Sequence, residues 1–498
     1  MEELYQMLSG SARLDKRSQR KRNKPEKNTE KLNESDSSTS QVKKVQIEIS
    51  DNKDSSNKKV HSAEKQAQIH HEEITAYRRR LKIHCSSTKI DPFISFDEIK
   101  CPDWWQNYND NVSTNGKKAS VPNFFDSIKR TMLNNINEGK WSNPTPVQMQ
   151  SIPILLQRND VLACAPTGSG KSGAFIVPAL FLASTPSAVF YQKSNTKAEG
   201  KQKKPNNSKS KEIRTLFLAP TRELASQLHR ETQRIGENKA HSKYILLEKT
   251  NVDHVTSGEC GKHGIDVLIT TPLRLVDTLQ SHPNILSAVR LVVLDEADRL
   301  LDASYEKTDS KTFLRQMDQI LSHIPPTASR ALFSATIGSH VQSLSESILR
   351  SRVDVFVNAS SGNVRGGAND DITQQLLYVG REQGKLLAIR QLIQKGIRPP
   401  VLIFLESKER AIALYQELLY DRIKVDVIHS DKSPTARQNT IQKFRSGETW
   451  ILIATDLCSR GVDFKHVNLV INYDIPSNGI VYTHRIGRTG RKFILSFV

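Results

Sequence analysis

The sequence predicts an α/β protein of two domains, each a parallel sheet covered by helices, joined by a hinge and preceded by a disordered basic N-terminal extension. Three observations carry this. Short apolar, β-branched runs recur at helical spacing, which indicates strands buried on both faces of a parallel sheet. A Gly- and Asn-containing stretch, Ser360 to Asn369, divides those runs into two series. Residues 9–68 are rich in Lys, Ser, Asn, Glu and Gln and poor in aromatics, so they bury too little apolar surface to offset chain entropy.

In chain order, the extension is expected over residues 1–90. Its run Lys16 to Lys24 reads as a nuclear address, an RNA-touching arm or a solvated charge run. The first domain, 91–360, contains the strands Val161–Cys164, Thr215–Leu218, Val267–Thr270, Leu291–Leu294 and Arg330–Phe333, with the Lys/Asn/Ser tract from Lys193 to Lys211 as a surface insertion. A linker at 361–372 leads to the second domain, 373–498, with strands Val401–Phe404, Val425–Ile428, Ile451–Ala454 and Leu469–Asn472.

At 498 residues the chain is too long for a single small module. Its 72 Lys and Arg outweigh 53 Asp and Glu, a net charge of +19 that favours a polyanionic partner, nucleic acid first. Cys85, Cys101, Cys164, Cys260 and Cys458 are scattered, without a C-x-x-C pair, so neither a zinc site nor a disulfide framework is expected. The N-terminus lacks an apolar signal core, and the most apolar run, Ala174 to Ala183, is too short to span a bilayer. A soluble intracellular protein is expected, with no membrane partner.

Three segments carry chemistry. Val161–Cys164 runs into Ala165-Pro166-Thr167-Gly168-Ser169-Gly170-Lys171-Ser172 and then an apolar helix, the context a phosphate cradle needs. Its glycines let backbone N–H groups converge on phosphates, Lys171 reaches the β- and γ-phosphates, and the Ser172 hydroxyl ligates Mg²⁺. Asp295-Glu296-Ala297-Asp298 follows a buried strand, where open α/β sheets place ligands; Asp295 is the candidate metal ligand and Glu296 the candidate base for an attacking water. His484-Arg485-Ile486-Gly487-Arg488-Thr489-Gly490-Arg491 offers bidentate phosphate recognition from the second domain. Those arginines reach a nucleotide on the first domain only when the domains close, so turnover depends on a bridging ligand. Together these are the parts of an ATP-hydrolysing machine.

With Gln148, Ser334-Ala335-Thr336 and Thr455-Asp456 through Arg460-Gly461-Val462-Asp463 added in order, the chain resembles the DEAD-box family of ATP-dependent RNA helicases, over roughly Ile94 to Arg491. The resemblance implies two RecA-like domains, ATP and Mg²⁺ as cofactors, and RNA as partner. It implies that Gln148 reads the adenine edge while an upstream aromatic, Phe96 or Phe124, stacks on the base. Asp298, Ser334, Thr336 and His484 would couple ATP state to closure, Asp463 would touch the ribose, and Arg488 and Arg491 would act as arginine fingers. RNA backbone contacts would come from Pro220, Thr221, Arg222, Thr271, Arg274 and Thr455.

Within the family, the runs Gly384 to Arg390, Pro399 to Phe404 and Lys424 to His429, with Arg78 to His84 ahead of the core, resemble the nucleolar branch acting in small-ribosomal-subunit (18S rRNA) maturation. That branch implies a nuclear, nucleolar location, pre-rRNA or guide-RNA duplexes as substrates, ribosome-assembly proteins as partners and a monomeric core. Ser172 stands where most members carry Thr, Leu273 where Gly is usual, and Ser459 where Ala is usual. After Arg491 the family continues through a further strand and helix, whereas the sequence ends at Val498; the expectation is a second domain short of its last strand, with an unpaired edge. An ATP-gated RNA clamp and a DNA-translocating relative remain alternatives.

Overall fold

A computed structural model describes residues 55–87, 89–105, 122–139, 141, 143–190, 213–236, 243–257, 264–301, 313–358, 372–456, 464, 467–476 and 478–497. The chain divides into two compact units, one of which includes Arg78–Val498 and the other Ala12–Tyr77.

In the larger unit an eight-stranded sheet comprises β1 (Ile83–Cys85), β2 (Asp160–Cys164), β3 (Ile213–Leu218), β4 (Tyr244–Leu246), β5 (Ile265–Thr270), β6 (Leu291–Asp295), β7 (Ser329–Ser334) and β8 (Arg352–Val357), in the order β1-β8-β2-β7-β6-β3-β5-β4. All pairings are parallel except β1 against β8. A six-stranded sheet comprises β9 (Thr373–Leu377), β10 (Val401–Leu405), β11 (Val425–Ile428), β12 (Ile451–Thr455), β13 (Val467–Asn472) and β14 (Thr489–Phe497), ordered β11-β12-β10-β13-β14-β9 and parallel throughout. Each sheet carries a core on both faces. That explains why central strands such as β2, β6, β10 and β12 are buried at every position and read as unbroken apolar runs.

The helices used below are α1 (Ser55–Arg80), α2 (Pro122–Glu138), α3 (Pro146–Leu156), α4 (Lys171–Ser184), α5 (Arg222–Gly236), α6 (Pro272–Ser281), α7 (Ala297–Leu300), α8 (Pro434–Ser446) and α9 (Gly479–Ile486). Helix α3 starts where Pro146 supplies a preset φ at its first turn. There the Gln148 side chain reaches back to accept from the Thr145 N–H, one half of a capping box. Helix α4 starts at Gly170, whose φ of 87° demands glycine.

All nine expected strands form. Besides β14, four others escaped the pattern because they lack a long apolar run: β9 is Thr-Gln-Gln-Leu-Leu at an edge, β8 alternates Arg and Asp with valines, and β1 and β4 have three residues each.

Two expectations need correction. Disorder through residue 90 does not hold for Ser55–Arg80, which is helical, nor for Ile83–Cys85, which is a strand; Ala63 to Arg80 contains no Gly or Pro and is dominated by good helix formers. Residues 1–54 lie outside the described residues, as do the insertion from Lys193 to Lys211 and the linker at 361–371. The second domain does not lack a strand beside β13: the final segment is itself β14, seated between β13 and β9, because Phe493-Ile494-Leu495 supplies an apolar run. Cys85, Cys101 and Cys164 are thiols outside any disulfide, and among the described residues no helix is long and apolar enough to cross a membrane.

Candidate nucleotide and RNA site

The expected site segments in the first domain lie at carboxyl ends of neighbouring parallel strands. Ala165–Ser172 follows β2, Pro220–Arg222 follows β3, Thr271–Arg274 follows β5, Asp295–Asp298 spans the end of β6, and Ser334–Thr336 ends β7. Parallel strands present their carboxyl ends on one side, which is where such sheets bind ligands.

In the phosphate loop, Gly168 and Gly170 adopt φ of 77° and 87°, conformations that a Cβ would strain. Lys171 Nζ donates to the carbonyls of Ala165 at 2.7 Å and Pro166 at 3.0 Å, and burial lowers the ammonium's pKa against the opposing pull of Asp295. Gln148 is tied to this loop: its Oε1 accepts from the Thr145 N–H at 3.0 Å and its Nε2 donates to the Gly170 carbonyl at 3.0 Å.

The carboxylates follow with strong electrostatic consequences. Burial, with Glu296 alongside, pushes Asp295 up to about 7. Glu296 adopts φ 50°, a left-handed conformation uncommon for a non-glycine residue, and its buried Oε2 has no hydrogen-bond partner among the described residues. A buried carboxylate that resists ionisation, followed in the chain by a residue with an orphaned carboxylate oxygen, suits a hard cation that takes one or two protein oxygens and completes its shell from phosphates and water; Ser172, in the first turn of α4, carries the further candidate oxygen. Mg²⁺ fits that description; among the described residues there is no three-ligand His/Cys/Asp/Glu cluster.

Asp298 is the meeting point of both domains. Thr336 Oγ1 donates to its Oδ2 at 2.7 Å, and His484 Nε2, from α9, donates to the same oxygen at 2.7 Å. Ser334 Oγ donates to the Thr336 carbonyl at 2.7 Å, fixing that segment's turn. Burial alone would raise the Asp298 pKa, but the charge and hydrogen bond of His484, with the Thr336 and Ser334 hydroxyls, hold it well below the usual carboxylate range. Arg488 brings Nη2 to 3.9 Å from Glu296 Oε1, both side chains nearly buried. Gly487 lies so close to Thr167 that an added Cβ would sit 1.5 Å from its Oγ1. A second interdomain link joins Arg437 on α8 to Glu223 on α5 at 2.8 Å.

The arginine cluster divides by role. Arg485 pairs bidentately with Asp456 at 2.7 Å through both nitrogens and donates to the Asp474 carbonyl, so it braces its own domain. Arg488 faces Glu296 of the first domain. Arg491 is on β14, and its side chain lies outside the described residues, as does Asp463 entirely. Thr455 ends β12. Thr221 Oγ1 accepts from the Leu224 N–H, Arg222 is exposed, Thr271 occupies the residue before α6 without a side-chain capping bond, and Arg274 lies 3.7 Å from Asp277.

The adenine platform departs from expectation. Phe96 is only 4% exposed and packs into the core against Phe93, ring centroids 5.9 Å apart, so it offers no face to a base. Phe124 is on α2 and its side chain lies outside the described residues. The aromatic beside Gln148 is Trp141: a Cβ on Gly173 would meet Gln148 Nε2 at 2.5 Å and Trp141 Cζ3 at 2.7 Å, and the Arg234 guanidinium lies 5.5 Å from the Trp141 centroid. The available signal was an aromatic just ahead of Ser142-Asn143-Pro144-Thr145, close enough to Gln148 to need no insertion.

Two sheets of this topology, one bearing a phosphate loop and the other returning an arginine cluster to it, define the helicase class of nucleotide-dependent proteins. Residues 145–344 match the DEAD/DEAH box helicase family and residues 384–493 match the helicase conserved C-terminal domain. These matches together cover more than half of the chain, which belongs to the DEAD-box helicase family.

Among curated proteins, the chain is similar to the ATP-dependent RNA helicase ROK1 of Eremothecium gossypii, 42% identical over 371 residues, covering 73% of this chain and 59% of that protein. It is also similar to the probable ATP-dependent RNA helicase DDX52 of Rattus norvegicus, 38% identical over 452 residues, covering 90% and 66%. The chain spans less than two thirds of the length of these relatives. Among solved structures it resembles S. cerevisiae Dbp5 bound to RNA and ADP BeF3, with a TM-score of 0.59, 25% identity, and coverage of 74% of this chain and 87% of that one.

Proposed function

We propose that the chain is an ATP-dependent RNA helicase that hydrolyses ATP on binding RNA and locally unwinds short RNA duplexes. We further propose that it acts in pre-rRNA processing and small-ribosomal-subunit biogenesis, in the nucleolus, on pre-rRNA or guide-RNA duplexes alongside ribosome-assembly proteins, with a monomeric core. The observation that carries the enzymatic reading is the buried constellation shared by both domains: Glu296 faces Arg488 and Asp298 binds His484 beside the phosphate loop. The names of the relatives and the ligands in the Dbp5 title support the same chemistry. The subunit-biogenesis reading rests on the resemblance to the nucleolar branch.

On this reading Gln148 hydrogen-bonds the adenine edge and Trp141, rather than Phe96, supplies the stacking face. Loop amides and Lys171 hold the phosphates. Mg²⁺, held by Ser172 and Asp295, would neutralise charge on the transferred phosphoryl group. Glu296 takes the proton of the attacking water at Oε2, the oxygen without a partner among the described residues. Arg488 meets the charge that develops in transfer, with Arg491 as the second finger and Asp463 on the ribose. Pro220, Thr221, Arg222, Thr271, Arg274 and Thr455 bind RNA backbone, so affinity is sequence-indifferent and salt-sensitive. The clamp alternative rested on an unpaired edge beside β13, a position that β14 fills.

The test is steady-state ATP turnover with and without single-stranded RNA, paired with strand separation of a short duplex. Turnover is expected to rise strongly with RNA, and less with a deoxy strand lacking the 2′-OH. Turnover indifferent to RNA would overturn the proposal.

A further inference from the structure

Gln148 and Gln150 are two positions apart on α3, so they project from nearly opposite sides of the helix, Gln148 toward the phosphate loop and Gln150 away from it. Gln150 is fully buried, and its amide is gripped by the segment ahead of the core. Arg78 Nε donates to Gln150 Oε1 at 2.9 Å, Arg78 Nη2 donates to the Ile90 carbonyl at 2.8 Å, and Gln150 Nε2 donates to that same carbonyl at 3.0 Å. The three groups close a ring of hydrogen bonds. Between the two glutamines, the Met149 carbonyl accepts from the Phe93 N–H at 3.2 Å.

The gripping segment is itself anchored. Strand β1 pairs with β8, the Asn358 N–H donates to the Lys82 carbonyl, and the Ser86 N–H donates to the Asp354 carbonyl. Arg78 is 7% exposed, and its partners here are neutral oxygens, so its charge is desolvated for directional bonding rather than ion pairing. A guanidinium fork of this kind fixes the rotation of α3 about its axis. A turn of about 20° would carry a side chain at the helix periphery roughly 2 Å, more than a hydrogen bond tolerates. The matched helicase core begins at residue 145, well after Arg78.

We propose that Arg78 is a positioning residue for nucleotide-base recognition: through Gln150 it sets the rotation of α3 and thereby the placement of Gln148. This rests on the reading of Gln148 as the adenine contact. The N-terminal flank is thus part of the nucleotide site although it touches no nucleotide.

The test measures equilibrium affinities of the full chain for ATP, GTP and inorganic tripolyphosphate. The variants are Arg78→Met, which keeps bulk without donors, Arg78→Lys, which keeps charge without the fork, and Gln148→Ala as reference. Both Arg78 variants are expected to lose ATP affinity by about tenfold, as for one or two hydrogen bonds, with the ATP-to-GTP preference reduced and tripolyphosphate binding unchanged. Arg78→Lys keeps the test available if Arg78→Met folds poorly. Equal losses for ATP and tripolyphosphate would reduce Arg78 to a general structural role and overturn the proposal. An intact base preference in both Arg78 variants, with that preference lost in Gln148→Ala, would overturn the positioning role alone. Full preference in Gln148→Ala would overturn the reading of Gln148 and the positioning role with it.

Discussion

At the residue scale, Asp295 is buried and Glu296 nearly so, yet the proposed mechanism gives them different tasks. Glu296→Gln preserves size and most hydrogen bonding but removes the proton acceptor. ATP binding is therefore expected to survive, turnover to be nearly abolished and RNA to be held longer with ATP; wild-type turnover would remove Glu296 from the base role. Lys171→Ala is expected to weaken nucleotide binding itself, measured as a rise in ATP Kd, because it deletes a charge from the phosphate cradle. Asp295 yields a pH test. Its folded pKa, raised by burial to about 7, means that in metal-free protein its stabilising contribution is full below an unfolded pKa of about 4 and is lost as pH rises through 7. Asp295→Asn removes that loss. Without metal or nucleotide it is expected to melt several degrees above wild type at pH 8, with a smaller gap at pH 5; a gap independent of pH would contradict the raised pKa.

At the element scale, α9 approaches the phosphate loop by way of a residue without a side chain. Gly487 has ordinary helical φ, so its backbone does not require glycine; the 1.5 Å approach of a built Cβ to Thr167 Oγ1 does. Gly487→Ala is expected to leave ATP affinity within about twofold, since the cradle belongs to the other domain. RNA-stimulated turnover should fall on the order of 10²-fold, as for an ångström-scale misplacement of catalytic groups. Unchanged stimulated turnover would show that α9 does not seat against Thr167 in the active state. Strand β14 carries a related lesson: a segment expected to leave an edge open is the strand that pairs with β13, and the register that sets Phe493 against Leu469 and Ile494 against Val470 is a tertiary fact.

At the scale of the whole molecule, the proposed mechanism makes turnover depend on two sheets arriving at one place. Arg488 and Lys171 belong to different domains, so ATPase activity is expected to be low without RNA and to rise when RNA draws the domains together. Arginine fingers contribute on the order of 10³–10⁵ in rate, so Arg488→Ala should remove most RNA-stimulated turnover with a smaller effect on RNA affinity. Were RNA affinity to fall with the per-complex rate unchanged, Arg488 would be an RNA contact and not a catalytic group.

The sequence by itself determined the two-domain α/β plan, the phosphate loop, the acidic tetrad and the arginine cluster. Strands buried on both faces must be apolar runs, and phosphate chemistry needs glycine, lysine and carboxylate at fixed local spacing. The local pattern did not separate the three arginines, and only the family resemblance singled out Arg488 and Arg491, because whether Arg485 braces Asp456 or Arg488 faces Glu296 depends on contacts with distant segments. The sequence favoured Phe96 over Phe124 as the base platform, because local resemblance does not reveal that the Phe96 ring is covered by the core. It gave no sign that Arg78 reaches Gln150, a contact across 72 positions that exists only once β1 has joined the sheet. Local chemistry is written in neighbouring residues, whereas burial, pairing and the division of labour among like side chains are set by contacts between segments far apart in the chain.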